Sequence, residues 1–255
     1  MRYLNFIENI SNWPLHLKYK FGLKTPDPLV FRANNDVTFE VPKRLYHEFK
    51  EIFFENAYTI GQQIKIKRDT PTIIDIGANV GFFSIYAISK FPNANIYSYE
   101  PIDSNFKQLS RNQELNCDKR FKCFNLAVCG HRGMIGINFD INDEFTTSAT
   151  AINYNKNNQI FTEFPCLSLG DIFDENNIEK CDFLKLDCEG SEYSILYNTN
   201  TEYLSRIDQM AIEVHQGKNE CENLESLRDF LTSNNFGLFS KICGYPSGPM
   251  AELTD

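Results

Sequence analysis

With 255 residues, 42% of them hydrophobic and 22 of them phenylalanine, the chain can build one large core. Its net charge of −9 disfavours nonspecific nucleic-acid binding, no run reaches the roughly 18 apolar residues that cross a bilayer, and the N-terminus lacks a secretory h-region. Eight cysteines without a C-x-x-C pair argue against zinc and against a disulfide framework, and read as reduced thiols of a cytoplasmic protein.

The charge is uneven, +3 over residues 1–70 and −12 over 71–255, and the basic front reads as a solvated surface. Residues 1–24 hold an amphipathic aromatic segment (Tyr3, Leu4, Phe6, Ile7, Ile10, Trp13), suited to packing on the body or on a second subunit. Residues 29–41 alternate like a hairpin and 46–58 read as a helix. Residues 1–57 are therefore expected to form an N-terminal extension, a surface for substrate or for self-association, ahead of the main domain at 58–255.

That domain starts with the β-branched run Ile73, Ile74, Ile76, a strand buried on both faces. Asp75 interrupts it just before Gly77 and Gly81, which let the backbone turn sharply and approach a ligand. A helix follows through Phe82, Phe83, Ile85, Tyr86 and Ile88. The next strand, 95–99, ends at Glu100, and a helix spans 103–116 with Asp103 or Ser104 as N-cap. A third strand is expected at 121–128 and a β-rich insert over 133–166, with an Asn-rich loop at 153–158. A helical turn at 167–173, strands at 183–186 and 209–214, a helix at 220–234 and a last strand near 236–242 complete the pattern. This alternation predicts an α/β fold with a mostly parallel sheet and helices on both faces.

Strand, acid, glycine loop and helix describe a nucleotide cradle. The spacing G-x-x-x-G lacks the third glycine of a dinucleotide site, and a preceding carboxylate opposes pyrophosphate. Glu100 stands where an acid accepts both ribose hydroxyls, and Pro101 and Ile102 can cover an adenine. A nucleoside with a positive, phosphate-free end fits: S-adenosylmethionine.

Further along, period two puts Lys185, Asp187 and Glu189 on one side of their strand. Lys185 serves equally as a structural ion-pair partner or in catalysis. Asp187 lies at the tip, and His215 closes Ile212-Glu213-Val214-His215 at the same edge, where imidazole is the usual base near neutral pH. Asp187, Glu189 and His215 could alternatively hold a divalent metal, although none is predicted.

Taken together, Ile74–Gly81 (IDIGANVG), Glu100-Pro101, Ala127-Val128, Asp182–Glu192 (DFLKLDCEGSE) and Ile212–His215 (IEVH) resemble the FkbM-type methyltransferases, a branch of the class I S-adenosylmethionine-dependent fold, over about residues 58–240. The resemblance implies O-methylation of sugars, glycans or glycosylated natural products. It implies that Asp75, Gly77, Asn79, Gly81 and Glu100 line the cofactor site, that Ala127 lies near the adenine or thioether, and that Asp187, Glu189 and His215 face the transferred methyl. Thr146-Thr147-Ser148 is similar to the family's serine-bearing loop, which makes Ser148 a candidate substrate contact. The sequence departs from the family in having little room for a final antiparallel strand after Lys241. The expected mechanism uses His215 as base with Asp187 orienting it. A noncatalytic adenosyl-binding subunit is the alternative.

Overall fold

The computed structural model describes residues 2–55, 58, 66–117, 119–140, 145–146, 159–217, 219–237, 239–245 and 248–254. Two helices, α1 (Arg2–Asn9) and α2 (Pro14–Lys20), precede an antiparallel hairpin of β1 (Leu29–Arg32) and β2 (Thr38–Val41), then α3 (Tyr46–Phe53). The alternating part runs β3 (Thr72–Ile76), α4 (Phe82–Lys90), β4 (Asn95–Tyr99), α5 (Asp103–Glu114) and β5 (Phe121–Phe124). Next come β6 (Ala127–Val128), the long pair β7 (Gly133–Asp140) and β8 (Gln159–Leu167), and α6 (Leu169–Glu175). β9 (Phe183–Leu186), α7 (Glu192–Tyr197), α8 (Thr201–Leu204), β10 (Met210–Ile212), α9 (Leu224–Ser233), β11 (Phe239–Tyr245) and β12 (Gly248–Thr254) complete the chain.

The central sheet has the order β10-β9-β3-β4-β5, and every pairing in it is parallel. The chain builds outward from β3 through β4 to β5, then returns to the other side of β3 at β9. The order therefore reverses between β3 and β9, the switch point where ligands of open α/β sheets bind. Strand alternation feeds two cores. Ile73, Ile96, Phe121 and Phe183 face one, Ile74, Tyr97, Leu184 and Ile212 the other.

The first core also takes in the front of the chain. Phe6, Phe31, Phe39, Phe49 and Phe53 are buried in it with α4, and Phe31 stacks on Phe49 at 4.7 Å between ring centroids. Each such ring contributes roughly 1.5–3 kcal/mol relative to exposure. Residues 2–53 thus cover one face of the sheet and share its core.

Several local expectations are corrected. Neither Asp103 nor Ser104 caps α5; Ile102 holds the N-cap position, and its N–H donates to Glu100 Oε1 at 3.0 Å. The strand expected at 121–128 breaks at Asn125, whose amide donates to the carbonyls of Glu100 and Pro101. Only β5 stays in the central sheet, while β6 joins β8 and β7 in a separate three-stranded sheet. Beyond Lys241 there is room after all for β12, antiparallel to β11. Among the described residues, no helix is long and apolar enough to cross a membrane.

Candidate active site

The loop after β3 closes the switch point because two of its residues have no Cβ. Gly77 has φ +74°, and a Cβ there would lie 1.7 Å from the carbonyl oxygen of Asp187. Gly81 has φ +90° at the start of α4, and a Cβ would meet Leu109 at 2.6 Å. Between them Asn79 is left-handed, at φ 50°. Its N–H donates to Glu100 Oε2 at 2.9 Å, which ties the loop to the tip of β4. Glu100 is 5% exposed, and burial, only partly offset by the Ile102 and Asn79 amides, pushes its carboxyl up to about 7.

These residues open onto a cleft enclosing about 700 Å³, solvent at its mouth included. Glu100, Pro101, Ile102 and Asn105 form one side, Ala127, Val128, Ile135 and Ile137 another, and Asp187, Cys188, Glu189 and Ser191 the far end. The lining contains three carboxylates and no Lys, Arg or His among the described residues. Among the described residues, two buried polar atoms in it have no hydrogen-bond partner, Asn79 Oδ1 and Thr146 Oγ1. Thr146 is 3% exposed and clamped through its backbone to the Asn105 side chain.

Beside the cleft lies a network of charge. Lys185, 3% exposed, sits 3.2 Å from Asp75 Oδ1 and 3.3 Å from Asp187 Oδ2, and donates to the Gly77 carbonyl at 2.9 Å. Burial alone would lower Lys185, but Asp75 and Asp187 outweigh it and hold it above its ordinary value. Burial likewise raises Asp187, yet Lys185 and the Tyr58 hydroxyl bring it below the usual carboxylate range. The Tyr58 hydroxyl lies 2.7 Å from Asp187 Oδ2 and 3.0 Å from Glu213 Oε2. A phenol has one proton to give, so it serves one of these two carboxyl groups at a time, and burial raises the Glu213 carboxyl.

His215 is ringed by acids: Nδ1 is 3.0 Å from Glu192 Oε1, and Nε2 is 3.4 Å from Glu189 Oε2 and 3.5 Å from Glu213 Oε1. Burial would lower it, but these partners push it up to about 11. That shift favours the imidazolium at neutral pH, which has no lone pair for a proton, and so argues against the expectation that His215 is the base. Glu189, at φ 52°, lines the cleft, and burial pushes its carboxyl up to about 8. Glu192 is fully buried and accepts from the N–H groups of Cys188 and Gly190, fixing the turn that carries Asp187 and Glu189.

The structure therefore brings Gly77, Asn79, Glu100, Pro101, Ala127, Asp187 and Glu189 to the cleft. Asp75 is not there. Fully buried on the opposite face of β3, it accepts from Ser84 at 2.6 Å and pairs with Lys185. Gly81, Lys185 and His215 also stand outside the lining, and Ser148 falls outside the described residues. The donor atoms within 4.8 Å of one another belong to Asp187, Glu213 and His215, so Glu213 replaces Glu189 in the set that could hold a metal. The sequence reading missed Tyr58, Glu192, Glu213 and Asn105. Glu192 and Glu213 sit inside the two motif segments, whereas nothing near Tyr58 in sequence signals its contacts.

Residues 75–245 match the methyltransferase FkbM domain family. Methyltransferase 1 of Beauveria bassiana (strain ARSEF 2860) is 24% identical over 197 residues, covering 70% of this chain and 76% of that protein. Methyltransferase sdnD of Sordaria araneosa is 24% identical over 208 residues, covering 70% and 78%. The crystal structure of methyltransferase FkbM from Methylobacillus flagellatus KT aligns with a TM-score of 0.55 at 14% identity. That alignment covers 83% of this chain but 54% of that one, so the chain spans about half of that protein, and the likeness is one of fold. With the family match covering well over half its length, on a parallel sheet with a cleft at the switch point, the chain belongs to the FkbM methyltransferase family and is a methyltransferase.

Proposed function

We propose that the chain transfers a methyl group from S-adenosylmethionine to a hydroxyl of a sugar, glycan or glycosylated natural product. The observation that carries this reading is the cleft lining, with three carboxylates and no basic side chain among the described residues. Such a surface offers a pyrophosphate no cation and, with Asp187 held ionised, suits a nucleoside with ammonium and sulfonium charge. The residues fit that ligand: Asn79 Oδ1 and Thr146 Oγ1 await donors. Glu100 would accept the ribose hydroxyls, with each charge-assisted bond contributing roughly 1.5–3 kcal/mol. Pro101 and Ala127 offer apolar faces for the adenine.

When bound, S-adenosylmethionine supplies an electrophilic methyl group. The chain's part is to align the acceptor hydroxyl, a gain of up to about 7–11 kcal/mol in effective concentration. Asp187 and Glu189 are the cleft-facing groups at the far end. In its ionised form, whose share grows as pH rises through about 8, a Glu189 carboxylate oxygen takes the hydroxyl proton, worth roughly 10²–10⁴-fold, and His215 positions Glu189 from behind. The free cysteines fit a reducing, cytoplasmic setting.

Incubation with methyl-labelled cofactor and a panel of nucleotide-sugars and glycan fragments should label a hydroxyl, and calorimetry should detect S-adenosylhomocysteine but not NADH. Glu189→Gln should lose turnover while keeping S-adenosylhomocysteine affinity. Label on no sugar, with the homocysteine compound still bound, would overturn the acceptor class; no binding at all would overturn the cofactor. A metal-assisted form of the reaction has one observation in its favour, the convergence of Asp187, Glu213 and His215. It requires that EDTA abolish transfer and magnesium restore it.

A further inference from the structure

We propose that Cys129, His131 and Cys166 form a site for a thiophilic divalent cation, zinc by its chemistry, behind the wall of the cleft. The trio is invisible as a spacing motif because Cys166 arrives from a different strand. β6 pairs with β8 so that Ala127 faces Cys166, and the Cys129 N–H donates to the Leu167 carbonyl at 2.9 Å. Gly133 of β7 flanks Cys166 from the other side, so the intervening turn wraps around that cysteine.

The result places Cys129 Sγ 3.0 Å from Cys166 Sγ and 3.9 Å from His131 Nδ1, with all three donor atoms within 4.8 Å of one another. Both thiols are buried, at 1% and 2% exposure, and both point at the His131 carbonyl. Zinc–sulfur bonds of ~2.3 Å in a tetrahedral site set two sulfurs ~3.8 Å apart, so the pair must open by only about an ångström. The exposed imidazole supplies a third ligand and water a fourth. Two thiol protons leave to solvent as the two zinc–thiolate bonds form.

The local packing gives such an ion a purpose. The sheet β6-β8-β7 is held by a small cluster, Ile102, Ala127, Cys129, Ile137 and Cys166, while Met134 and Phe161 stay exposed. A core that small gains from a staple. Ala127 and Ile137 also line the cleft, so the staple would stiffen its wall. Sulfur donors set this site apart from the oxygen-rich set at Asp187.

The test is a titration of the chelator-treated full chain with cobalt(II), followed by displacement with zinc. A thiolate-to-cobalt charge-transfer band is expected, with proton release and a higher thermal midpoint. The band should be lost in Cys129→Ser and Cys166→Ser, and binding should weaken in His131→Ala, whose exposed side chain leaves folding intact. The proposal is overturned if the wild type shows no sulfur band or if the band survives both serine changes. Isolation of the protein with Cys129 and Cys166 joined in a disulfide would also overturn it. Should the serine variants fail to fold, the wild-type titration and His131→Ala still decide it.

Discussion

Glu100 and Asp187 stand at the tips of β4 and β9, the two strands flanking β3, and both line the same cleft, yet they sit on opposite sides of the ordinary carboxylate range. Burial drives both upward. Glu100 meets only neutral donors, the amides of Asn79, Ile102 and Asn105, and ends at about 7. Asp187 meets a cation and a phenol and ends below its usual value. Lys185 is the largest part of the difference, pairing with Asp187 directly and acting on Glu100 least of its surroundings. Two positions before Asp187, on the same side of its strand, stands Lys185; two positions before Glu100 stands Ser98. Equivalent places in a fold take opposite charge states according to what the strand carries one pleat earlier.

The strongest way to break this contrast is Lys185→Met. Asp75, fully buried, and Asp187 would lose their shared cation, and breaking a buried pair from one side costs about 3–5 kcal/mol. Against a typical domain stability of roughly 5–15 kcal/mol, urea midpoints should fall steeply. Adding Asp75→Asn should recover part of the loss, since it removes one of the stranded charges. A single variant as stable as wild type would mean that the ion pair does not form in solution.

Asp187→Asn sharpens the same contrast with a smaller effect. The amide keeps one acceptor for Tyr58 but loses the charge that Lys185 faces, a change of about 1.5–3 kcal/mol at neutral pH. Because the folded carboxyl is held below its unfolded value, its contribution is present above the unfolded pKa and is lost as pH falls through the folded one. The gap between wild type and variant should therefore close in acid. Paired chemical denaturation at neutral and acid pH reads this directly, and a gap that ignores pH would deny the ion pair its role.

The sequence makes the skeleton of this arrangement legible for physical reasons. Ile73, Ile74 and Ile76 can only be a doubly buried strand, and glycines at 77 and 81 mark a turn that other residues could not make. Orientation and company are harder to read. Period two separates Asp75 from Ile76 but does not say which face carries the cleft, so Asp75 reads as a ligand contact when it is the floor beneath Lys185. His215 reads as a base until Glu189, Glu192 and Glu213 are seen around it. The Tyr58 hydroxyl reaches Asp187 across 129 positions of chain, a distance over which local pattern carries no information.

Glu100→Gln gives the smallest change in stability, with the opposite sign of pH dependence. The wild-type carboxyl is raised from 4.5 to about 7, so between those values the folded protein holds a proton that the unfolded chain has given up. Stability must then fall as pH rises through that window. Glutamine does not titrate, but its NH2 must face one of the two backbone N–H groups that Glu100 accepts, a loss that does not change with pH. The variant should start below wild type near pH 4.5, gain on it steadily up to about pH 7, and hold the margin gained beyond. Cofactor affinity should move the other way. An amide cannot accept two ribose hydroxyls as a carboxylate can, and S-adenosylhomocysteine binding should weaken by roughly 10–150-fold, the equivalent of one charge-assisted hydrogen bond. Denaturation midpoints across this pH range, beside calorimetry on the same two proteins, separate the effects: a stability margin that does not grow with pH would mean that Glu100 is solvated rather than locked against the Asn79 amide. The charge that weakens the empty fold above pH 7 is then the one that holds the ligand, which is why a neutral-donor setting suits Glu100 and a cation suits Asp187.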